Sequence, residues 1–358
     1  MSSKPDFPNP RVRIQRTIAP ATVYNQHVKY PLAIATIVAG VTAGAAPAHA
    51  VILLQSETRN TTAPAGALAG SGWQWQGQFN AFLGTPISSK YFVTAQHIGS
   101  IDNGLLTPFF YDGTVYQTTS AVDVPGTDLR IWRIAETFNN WAPLYDRSTD
   151  GPEAGKDLVV FGRGTQRGEP IYVTSPRVPS EIVASPPVRL QLKGWKWGAV
   201  DSITSWGQNR VEEVIADESF GELLYFSFDN PGGPNEAALS GGDSGGGVFI
   251  QSPTGQWKLA GINLGVDGPF RLTETGEALT ASVFDAGGLY VNEPATLIPD
   301  THLNISTGAY SSSVAGSLPF ILSTIATPTT SNAIPEPATA GVISGLVIAG
   351  SFRRRHNG

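Results

Sequence analysis

Short apolar runs separated by Gly, Pro, Asn and Asp dominate the chain from Val51 to Val291. Six of them stand out: YFVTA, DLRIWRI, DLVVFG, LLYFSF, GGVFI and KLAGINL. Few stretches in this region repeat apolar residues with the 3.6-residue period of a helix. Regular short strands with turn signals between them are typical of an all-β sandwich or barrel. The pattern therefore predicts an all-β domain over residues 51–291.

The N-terminal segment has a different pattern. Residues 1–50 contain scattered basic residues, the apolar run PLAIATIVAGVTAGAAP, and then AHA, which has the A-x-A form of a signal-peptidase site. The run is rich in Ala and Gly and short for a membrane span. We expect residues 1–50 to be a signal peptide and the mature chain to begin at Val51. The alternative is an ordinary membrane anchor.

The C-terminal segment, residues 334–358, reads IPEPATAGVISGLVIAGSFRRRHNG. A Pro-Glu-Pro turn precedes an apolar run, which as a helix would rise roughly 22 Å and fall short of the ~30 Å hydrocarbon core. The three arginines that follow would stay on the cytoplasmic side. The segment resembles the PEP-CTERM sorting signal of Gram-negative bacteria. This resemblance implies export, recognition by an exosortase and removal of the tail, whereas the alternative is a plain C-terminal anchor.

Residues 292–333 separate the β-rich region from that segment. They are rich in Ser and Thr and almost uncharged, as in STGAYSSSVAGSLPFILSTIATPTTSN. This composition predicts a linker or stalk, although LPFIL is apolar enough to add a strand at the edge of the domain.

Composition excludes some chemistry and some partners. The 358-residue chain has no cysteine, so disulfides and thiolate chemistry are excluded. Of its 23 basic and 29 acidic side chains, eight and two lie in the terminal segments, which leaves 15 and 27 and a net charge of −12. An acidic surface repels the phosphate backbone, so we expect no nucleic-acid partner. No cofactor motif or metal constellation is visible.

Histidine limits the candidate acid–base chemistry to one position. His97 is the only one of five histidines within residues 51–291, and it follows YFVTA directly. Taken alone, a lone histidine is more often structural. Asp128 heads DLRIWRI, where an aspartate is usually a turn residue. The glycines around Ser244 in GGDSGGG would fit a flexible loop, or a loop whose backbone amides converge on one oxygen.

The three positions together give a specific resemblance. VTAQHIG, DLRIWRI and GDSGG resemble the motifs of the chymotrypsin-like (trypsin-like) serine peptidase family, in the family's order. The resemblance implies an exported endopeptidase built from two packed antiparallel β-barrels. Residues 51–140 would form the barrel with His97 and Asp128, and residues 141–291 the barrel with Ser244.

The resemblance also implies roles for these residues. Ser244 would be the nucleophile, His97 the general base and Asp128 the group that orients the imidazole. The backbone N–H groups of Gly242 and Ser244 would form the oxyanion hole. Asp123 is a reserve candidate for the acid, but its VDVPG context lacks a following strand.

The expected substrate pocket rests on two further matches. Ala238, six residues before Ser244, would lie at the pocket base, so a preference for Lys or Arg is not supported. Gly261, Asn263 and Gly265 in GINLG would form a pocket wall and a strand edge for the substrate backbone. We expect a mid-sized or large apolar side chain there. An inserted region, GWKWGAVDSITSWGQNRVEE, has three tryptophans that we expect to pack in the core, with a binding rim as the alternative.

Asp243 has its own hypothesis. In the family, the aspartate before the serine pairs with a freshly exposed apolar N-terminus. The expected signal cut would expose Val51, 46 residues before His97. Alternatively, Asp243 bonds only to its local backbone.

The leading hypothesis is therefore a serine endopeptidase of the cell envelope, the cell surface or the medium, held transiently by its C-terminal helix. Its partners would be a protein or peptide substrate, signal peptidase and an exosortase-type enzyme. The alternative is a non-catalytic adhesion or binding protein of the same fold, with an extracellular polysaccharide matrix as its partner.

Overall fold

The described part of the chain belongs to one compact unit. The computed structural model describes residues 19–20, 51–99, 101–102, 105–175, 189–291, 294–300 and 303–326. The first unit spans Met1–Ile325, and of the second, Ala326–Gly358, only Ala326 is described. The expected sorting segment and all of the expected signal peptide except Ala19–Pro20 lie outside the described residues. No helix in the described ranges is long and apolar enough to cross a bilayer.

Strands are the main regular secondary structure of the described chain. In chain order they are β1 (Ala19–Pro20), β2 (Ile52–Leu53), β3 (Gly77–Phe79), β4 (Phe82–Ser88), β5 (Tyr91–Ala95), β6 (Ile101–Asp102), β7 (Leu105–Leu106), β8 (Phe109–Tyr111), β9 (Thr114–Tyr116), β10 (Thr118–Asp123), β11 (Leu129–Ile134), β12 (Asp157–Gly162), β13 (Thr165–Ser175), β14 (Arg189–Val200), β15 (Ser205–Arg210), β16 (Glu213–Asp217), β17 (Gly221–Ser227), β18 (Ala237–Ala238), β19 (Gly247–Gln251), β20 (Trp257–Val266), β21 (Ala281–Val283), β22 (Tyr290–Val291), β23 (Thr296–Leu297) and β24 (Gly308–Ser313). The helices are 3₁₀ turns at Gly66–Leu68 and Trp73–Trp75, α1 (Arg147–Asp150) and α2 (Val314–Ala326). The prediction of a mainly β chain is confirmed, and the six apolar runs form β5, β11, β12, β17, β19 and β20.

The strands form several antiparallel sheets. A seven-stranded sheet has the order β10-β11-β5-β4-β3-β8-β9, and a larger sheet has the order β15-β12-β19-β20-β24-β17-β16, with β1 added on β20. The long hairpin of β13 and β14 forms a third sheet with β21. The seven-stranded sheet and the larger sheet supply the elements of the candidate site.

Apolar side chains from the two large sheets meet in a shared core. Leu83 and Val93 of the first sheet pack in one cluster with Phe161, Phe249 and Leu259 of the second, all at most 2% exposed. Burial of large apolar side chains of this kind is worth roughly 1.5–3 kcal/mol each. This core therefore holds the two sheets against each other. The end of β5 and the start of β19 lie near the candidate site.

The predicted linker over 292–333 is wrong for the part of it that lies in 303–326. Gly308–Ser313 forms β24 in the interior of the larger sheet, and Val314–Ala326 forms α2. Val314 and Ile321 have no exposed surface and belong to the shared core. The small serine residues of β24 fit closely between the neighbouring strands β17 and β20. A prediction from composition alone interprets the same residues as a spacer. The larger sheet therefore extends beyond the predicted boundary at residue 291.

Candidate active site

The pairing of β5 with β11 places His97 beside Asp128. The two strands are antiparallel, with Ala95 opposite Leu129, so the end of β5 and the start of β11 lie at the same edge. The N–H of Gln96 donates to the carbonyl oxygen of Asp128 at 2.6 Å and extends this pairing by one residue. Register alone thus brings together side chains that are 31 positions apart.

Both oxygens of the Asp128 carboxylate accept hydrogen bonds from His97. The backbone N–H of His97 donates to Oδ1 at 2.9 Å, and ring atom Nδ1 lies 2.6 Å from Oδ2. The Asp128 side chain is 5% exposed and that of His97 is 16% exposed. Since Nδ1 donates to the carboxylate, the imidazole is fixed in orientation, and its Nε2 is free to accept a proton.

Nε2 of His97 faces the hydroxyl of Ser244 at a distance of 2.8 Å. Ser244 lies in the loop between β18 and β19, of which β19 belongs to the other large sheet, and is 4% exposed. Asp128, His97 and Ser244 therefore form one hydrogen-bonded line across the contact between the two sheets.

Two glycines with left-handed backbone conformations shape the loop around Ser244. Gly242 has φ +98° and Gly245 has φ +78°. A Cβ at Gly245 would lie 2.4 Å from both the carbonyl oxygen of Leu83 and Oγ1 of Thr94, so no side chain fits there. Within the part of the chain that the structure describes, the N–H groups of Gly242 and Ser244 donate to no acceptor. They remain available to an external oxygen.

Asp243 belongs to this loop and is 1% exposed. Its carboxylate accepts hydrogen bonds from the N–H groups of Gly164 at 2.8 Å and Ser240 at 2.7 Å, and also from that of Val51. Burial raises the pKa of Asp243 to about 6, against the lowering effect of these hydrogen bonds. Val51 itself is 1% exposed. The structure thus brings together the two residues of the N-terminus hypothesis, and Asp243 bonds to its local backbone as well.

Asn263 supports the Ser244 loop from within β20. Its side chain is completely buried, and Nδ2 donates to the carbonyl oxygens of Phe161 at 2.8 Å and Asp243 at 3.0 Å. Its own carbonyl oxygen accepts the N–H of Gly245 at 3.1 Å. Asn263 therefore links β12, β20 and the Ser244 loop.

The predicted pocket residues divide into three groups. Asn263 and Gly265 line a cleft that Ser244 also lines. Ala238 lines a neighbouring pocket. Gly261, also in β20, lines neither of them, and a Cβ there would lie 3.0 Å from the side chain of Leu224.

Asp123, the reserve candidate for the acid, faces other partners. It accepts hydrogen bonds from Nε of Arg130 at 2.5 Å and from Nε2 of Gln96 at 2.9 Å. The hydrogen bond from Arg130 lowers the pKa of Asp123. Asp128, and not Asp123, holds the His97 ring.

Sequence reasoning missed two residues at this site. Ser240 donates its N–H and hydroxyl to Asp243 and accepts the N–H of Thr165 at 2.9 Å. Trp197, on β14, lines the cleft beside Ser244. Trp197 belongs to the Trp-rich inserted region, and nothing in the sequence indicates that this region packs against the Ser244 loop. Trp195 and Trp206 of the same insertion are buried, as expected.

The described ranges contain no group of three or more His, Asp or Glu side chains placed to hold a metal ion. The polar groups that converge on the cleft are a hydroxyl, an imidazole and two backbone amides. Such a set can activate a nucleophile and stabilise an oxyanion.

Comparison with known proteins adds little. No protein-family model and no curated protein sequence matches the chain. The passenger domain of Plasmid encoded toxin, an autotransporter enterotoxin from enteroaggregative Escherichia coli, matches with a TM-score of 0.34 and 16% identity over 56% of this chain and 20% of that one. The match thus spans about a fifth of that structure's length. A likeness this weak carries no argument about fold or function.

Proposed function

We propose that this protein is an exported serine endopeptidase related to the chymotrypsin-like family. The observation that carries the proposal is the line of hydrogen bonds from Asp128 through His97 to Ser244, at 2.6 and 2.8 Å. The three residues come from different elements, and their motifs follow the family's order.

The chemistry follows from these contacts. Ser244 Oγ attacks the carbonyl carbon of a peptide bond while His97 Nε2 takes the hydroxyl proton. The resulting imidazolium is stabilised by Asp128 and gives the proton to the leaving amine, which leaves an acyl-enzyme. Water, deprotonated by His97, then hydrolyses the ester and restores the Ser244 hydroxyl.

The available N–H groups of Gly242 and Ser244 support an oxyanion hole. Both lie in the loop that carries the nucleophile, where glycine conformations aim the amides away from internal acceptors. Donors in this role contribute about 3–4 kcal/mol each to transition-state stabilisation in related cases. The same loop thus supplies both the nucleophile and the oxyanion donors.

The edge of β20 supports a polypeptide substrate. Gly265 and Val266 pair in antiparallel register with Ala19–Pro20 of the chain's own N-terminal segment. Both also line the cleft beside Ser244. A peptide that adds to this edge would extend past the nucleophile, which is the usual geometry of strand addition.

The two large sheets support the finer architecture of the family. One lies in the predicted first barrel, residues 51–140, and carries His97 and Asp128. The other begins in the predicted second barrel, residues 141–291, carries the Ser244 loop and is completed by β24. We propose that each sheet corresponds to one barrel of the two-barrel fold.

The contact of Val51 with Asp243 supports activation by signal cleavage. The N–H of Val51 already donates to the buried carboxylate. A free α-ammonium group at Val51 would add a positive charge at this position and favour the ionised carboxylate. Removal of residues 1–50 by signal peptidase would then complete the Ser244 loop, and an exosortase-type enzyme would act on residues 334–358.

Labelling with a fluorophosphonate probe tests the proposal. Wild type should become labelled, whereas Ser244→Ala should not and His97→Ala should label far more slowly. Ser219→Ala, in the exposed turn between β16 and β17, is the matched control and should label like wild type. Equal labelling of wild type and Ser244→Ala would overturn the proposal and favour the non-catalytic adhesion protein.

A further inference from the structure

The peptide group between Asp243 and Ser244 is held from its carbonyl side. The carbonyl oxygen of Asp243 accepts hydrogen bonds from Nδ2 of Asn263 at 3.0 Å and from the N–H of Gly246 at 3.2 Å. A trans peptide group is planar, so its N–H points away from its C=O. The contacts that fix the Asp243 carbonyl therefore also fix the direction of the Ser244 N–H, which is one of the two proposed oxyanion donors.

Asn263 joins this peptide group to the end of β12. Its side-chain NH₂ has two protons, and the second contact of Nδ2 is the carbonyl oxygen of Phe161 at 2.8 Å. Asn263 has no exposed surface, so bulk solvent does not reach these hydrogen bonds. A buried amide whose two N–H bonds are both engaged is held in one orientation. The Asp243 carbonyl thus has a fixed partner.

Ser311 of β24 determines which way round the Asn263 amide lies. The two residues are directly opposite each other in the pairing of β20 with β24, and the hydroxyl of Ser311 donates to Oδ1 of Asn263 at 3.1 Å. A flipped amide would place Oδ1 against the carbonyl oxygens of Asp243 and Phe161, which have no proton to donate. Ser311 is completely buried as well. Buried hydrogen bonds in a chain strengthen one another, and this chain runs from Ser311 through Asn263 to Asp243.

The backbone of β20 holds the same loop independently of these side chains. The N–H of Asn263 donates to the carbonyl oxygen of Gly246 at 2.9 Å, and the carbonyl oxygen of Asn263 accepts the N–H of Gly245 at 3.1 Å. A Cβ at Gly246 would lie 2.0 Å from the carbonyl oxygen of Phe161, so the loop passes β12 closely. Side-chain replacement at Asn263 or Ser311 therefore leaves the path of the loop in place and changes the support of one peptide group.

Resting on the proposed peptidase function, we infer that Asn263 and Ser311 are positioning residues for the oxyanion donor of Ser244. Their side chains make no hydrogen bond with the Ser244 hydroxyl or the His97 ring among the described residues, and they act through the peptide group that Asp243 shares with Ser244. The oxyanion develops only in the transition state. An N–H that is aimed less well should therefore slow the chemical step more than it weakens substrate binding.

Steady-state kinetics on a peptide that the wild type cleaves tests the inference, with the full chain exported from its host. Ser311→Ala should lower kcat by about tenfold and Asn263→Leu by about 100-fold, at or below the loss of a complete oxyanion donor, while KM changes by less than about twofold. Ser312→Ala is the matched control and should keep the wild-type kcat. Ser312 is the next residue of β24, is 1% exposed, and its hydroxyl has no hydrogen-bond partner among the described residues.

A peptide aldehyde gives a readout that a merely structural role would not move. When Ser244 adds to the aldehyde carbon, the aldehyde oxygen takes the position of the substrate oxyanion. The inhibition constant should therefore rise in Ser311→Ala and Asn263→Leu by about the factor by which kcat falls. The pH midpoint of kcat/KM that His97 sets should stay where it is in the wild type.

The number of Ser244 sites labelled by the fluorophosphonate at its end point normalises each rate, so a poorly folding variant is not mistaken for a misaimed donor. Equal kcat per labelled site in Ser311→Ala and Ser312→Ala would overturn the inference and leave the peptidase proposal intact. A rise in KM at constant kcat would overturn it as well. Absence of Ser244-dependent labelling in the wild type would instead refute the peptidase proposal, and the inference with it.

Discussion

Two aspartates close to His97 have different roles because they have different partners. Asp128 gives both carboxylate oxygens to His97, whereas Asp123 is exposed and paired with Arg130 and Gln96. Only the first can orient the imidazole. At the scale of single residues, the contact, and not the residue type or its closeness in sequence, decides the function.

Replacement of these two aspartates gives a matched test. Asp128→Asn should lower kcat by about 10⁴-fold, since the amide favours the wrong imidazole tautomer in triads of this kind. Asp123→Asn should change kcat by less than about threefold, because it removes an exposed ion pair worth at most ~1 kcal/mol. Steady-state kinetics on a peptide that the wild type cleaves measures both. Equal losses would contradict the assignment of Asp128 as the orienting group.

A second residue-scale prediction concerns Glu236, which is 8% exposed. Burial raises its pKa to about 7 from 4.5, and the charge of Asp229 acts in the same direction. The folded state therefore binds this proton more tightly than the unfolded chain, so stability falls as pH rises from about 4.5 to 7. The loss is on the order of 3 kcal/mol.

Urea unfolding at pH 5 and pH 8 measures this loss. Glu236→Gln should flatten the decline, because the amide does not ionise. The exposed Glu274→Gln should keep the wild-type dependence. Asp243, whose pKa is also raised, adds a decline below pH 6 in every variant that keeps it. Identical slopes in the two glutamate variants would contradict the prediction.

At the scale of elements, short loops between strands hold the chemistry, and glycines let these loops pass close to neighbouring backbone. The turn at Gly245 fits under Leu83 and Thr94 only without a Cβ. The loop after β18 can therefore reach the edge of the other sheet, where His97 lies. Two sheets that pack through an apolar core thus bring Asp128, His97 and Ser244 within hydrogen-bonding distance.

Gly245→Ala tests this close approach. The variant should lose nearly all fluorophosphonate labelling, because the methyl group would displace the loop from Leu83. Gly255→Ala is the matched control, since Gly255 has a similar φ of +82° but nothing within 4 Å of a Cβ. It should cost only about 1 kcal/mol of stability from the backbone conformation and keep its labelling. Comparable labelling of the two variants would show that loop shape is not limiting.

A second element-scale prediction concerns α2, which composition had suggested to be linker. Ile321→Ala should lower the free energy of unfolding by about 2–5 kcal/mol, because Ile321 is completely buried in the shared core. Leu322→Ala, at the next position and 47% exposed, should lower it by less than about 0.5 kcal/mol. Equally small effects of the two substitutions in denaturant titrations would indicate that the segment is a linker.

At the scale of the whole molecule, the segment before Val51 bears on the site in two ways. It keeps the Val51 nitrogen in a peptide bond beside Asp243, and its residues Ala19–Pro20 pair with the β20 edge that a substrate would need. If the protein has the proposed peptidase function, both effects oppose it. They make the removal of residues 1–50 the expected activating step.

Chains with different starting points test this step. A protein that begins at Val51 should be active, while a single additional residue before Val51 should reduce kcat/KM by at least about tenfold, because it removes the charged partner of Asp243. The chain that retains residues 1–50 should be no more active than the extended form. Similar activity of all three would show that Asp243 needs only its local backbone contacts.

The sequence by itself predicted many of the strands and pointed to His97, Asp128 and Ser244 as the candidate reacting groups. Short apolar runs predict β5, β11 and β19 correctly, since each run has the length of one strand. His97, Asp128 and Ser244 were identifiable because each follows or precedes such a run in a specific motif. Features of this kind depend on residues that are neighbours in the sequence.

Only the tertiary structure decided which distant groups meet. It placed Trp197 and Leu239 around the cleft, buried Asn263 as a support of the loop and left Gly261 inside a strand. The Ser- and Thr-rich segment also forms β24 and α2 through tertiary contacts. These outcomes depend on contacts between residues far apart in the chain, and packing selects them by shape and burial. The same composition fits a spacer in isolation and a core strand when two neighbours are present to cover it.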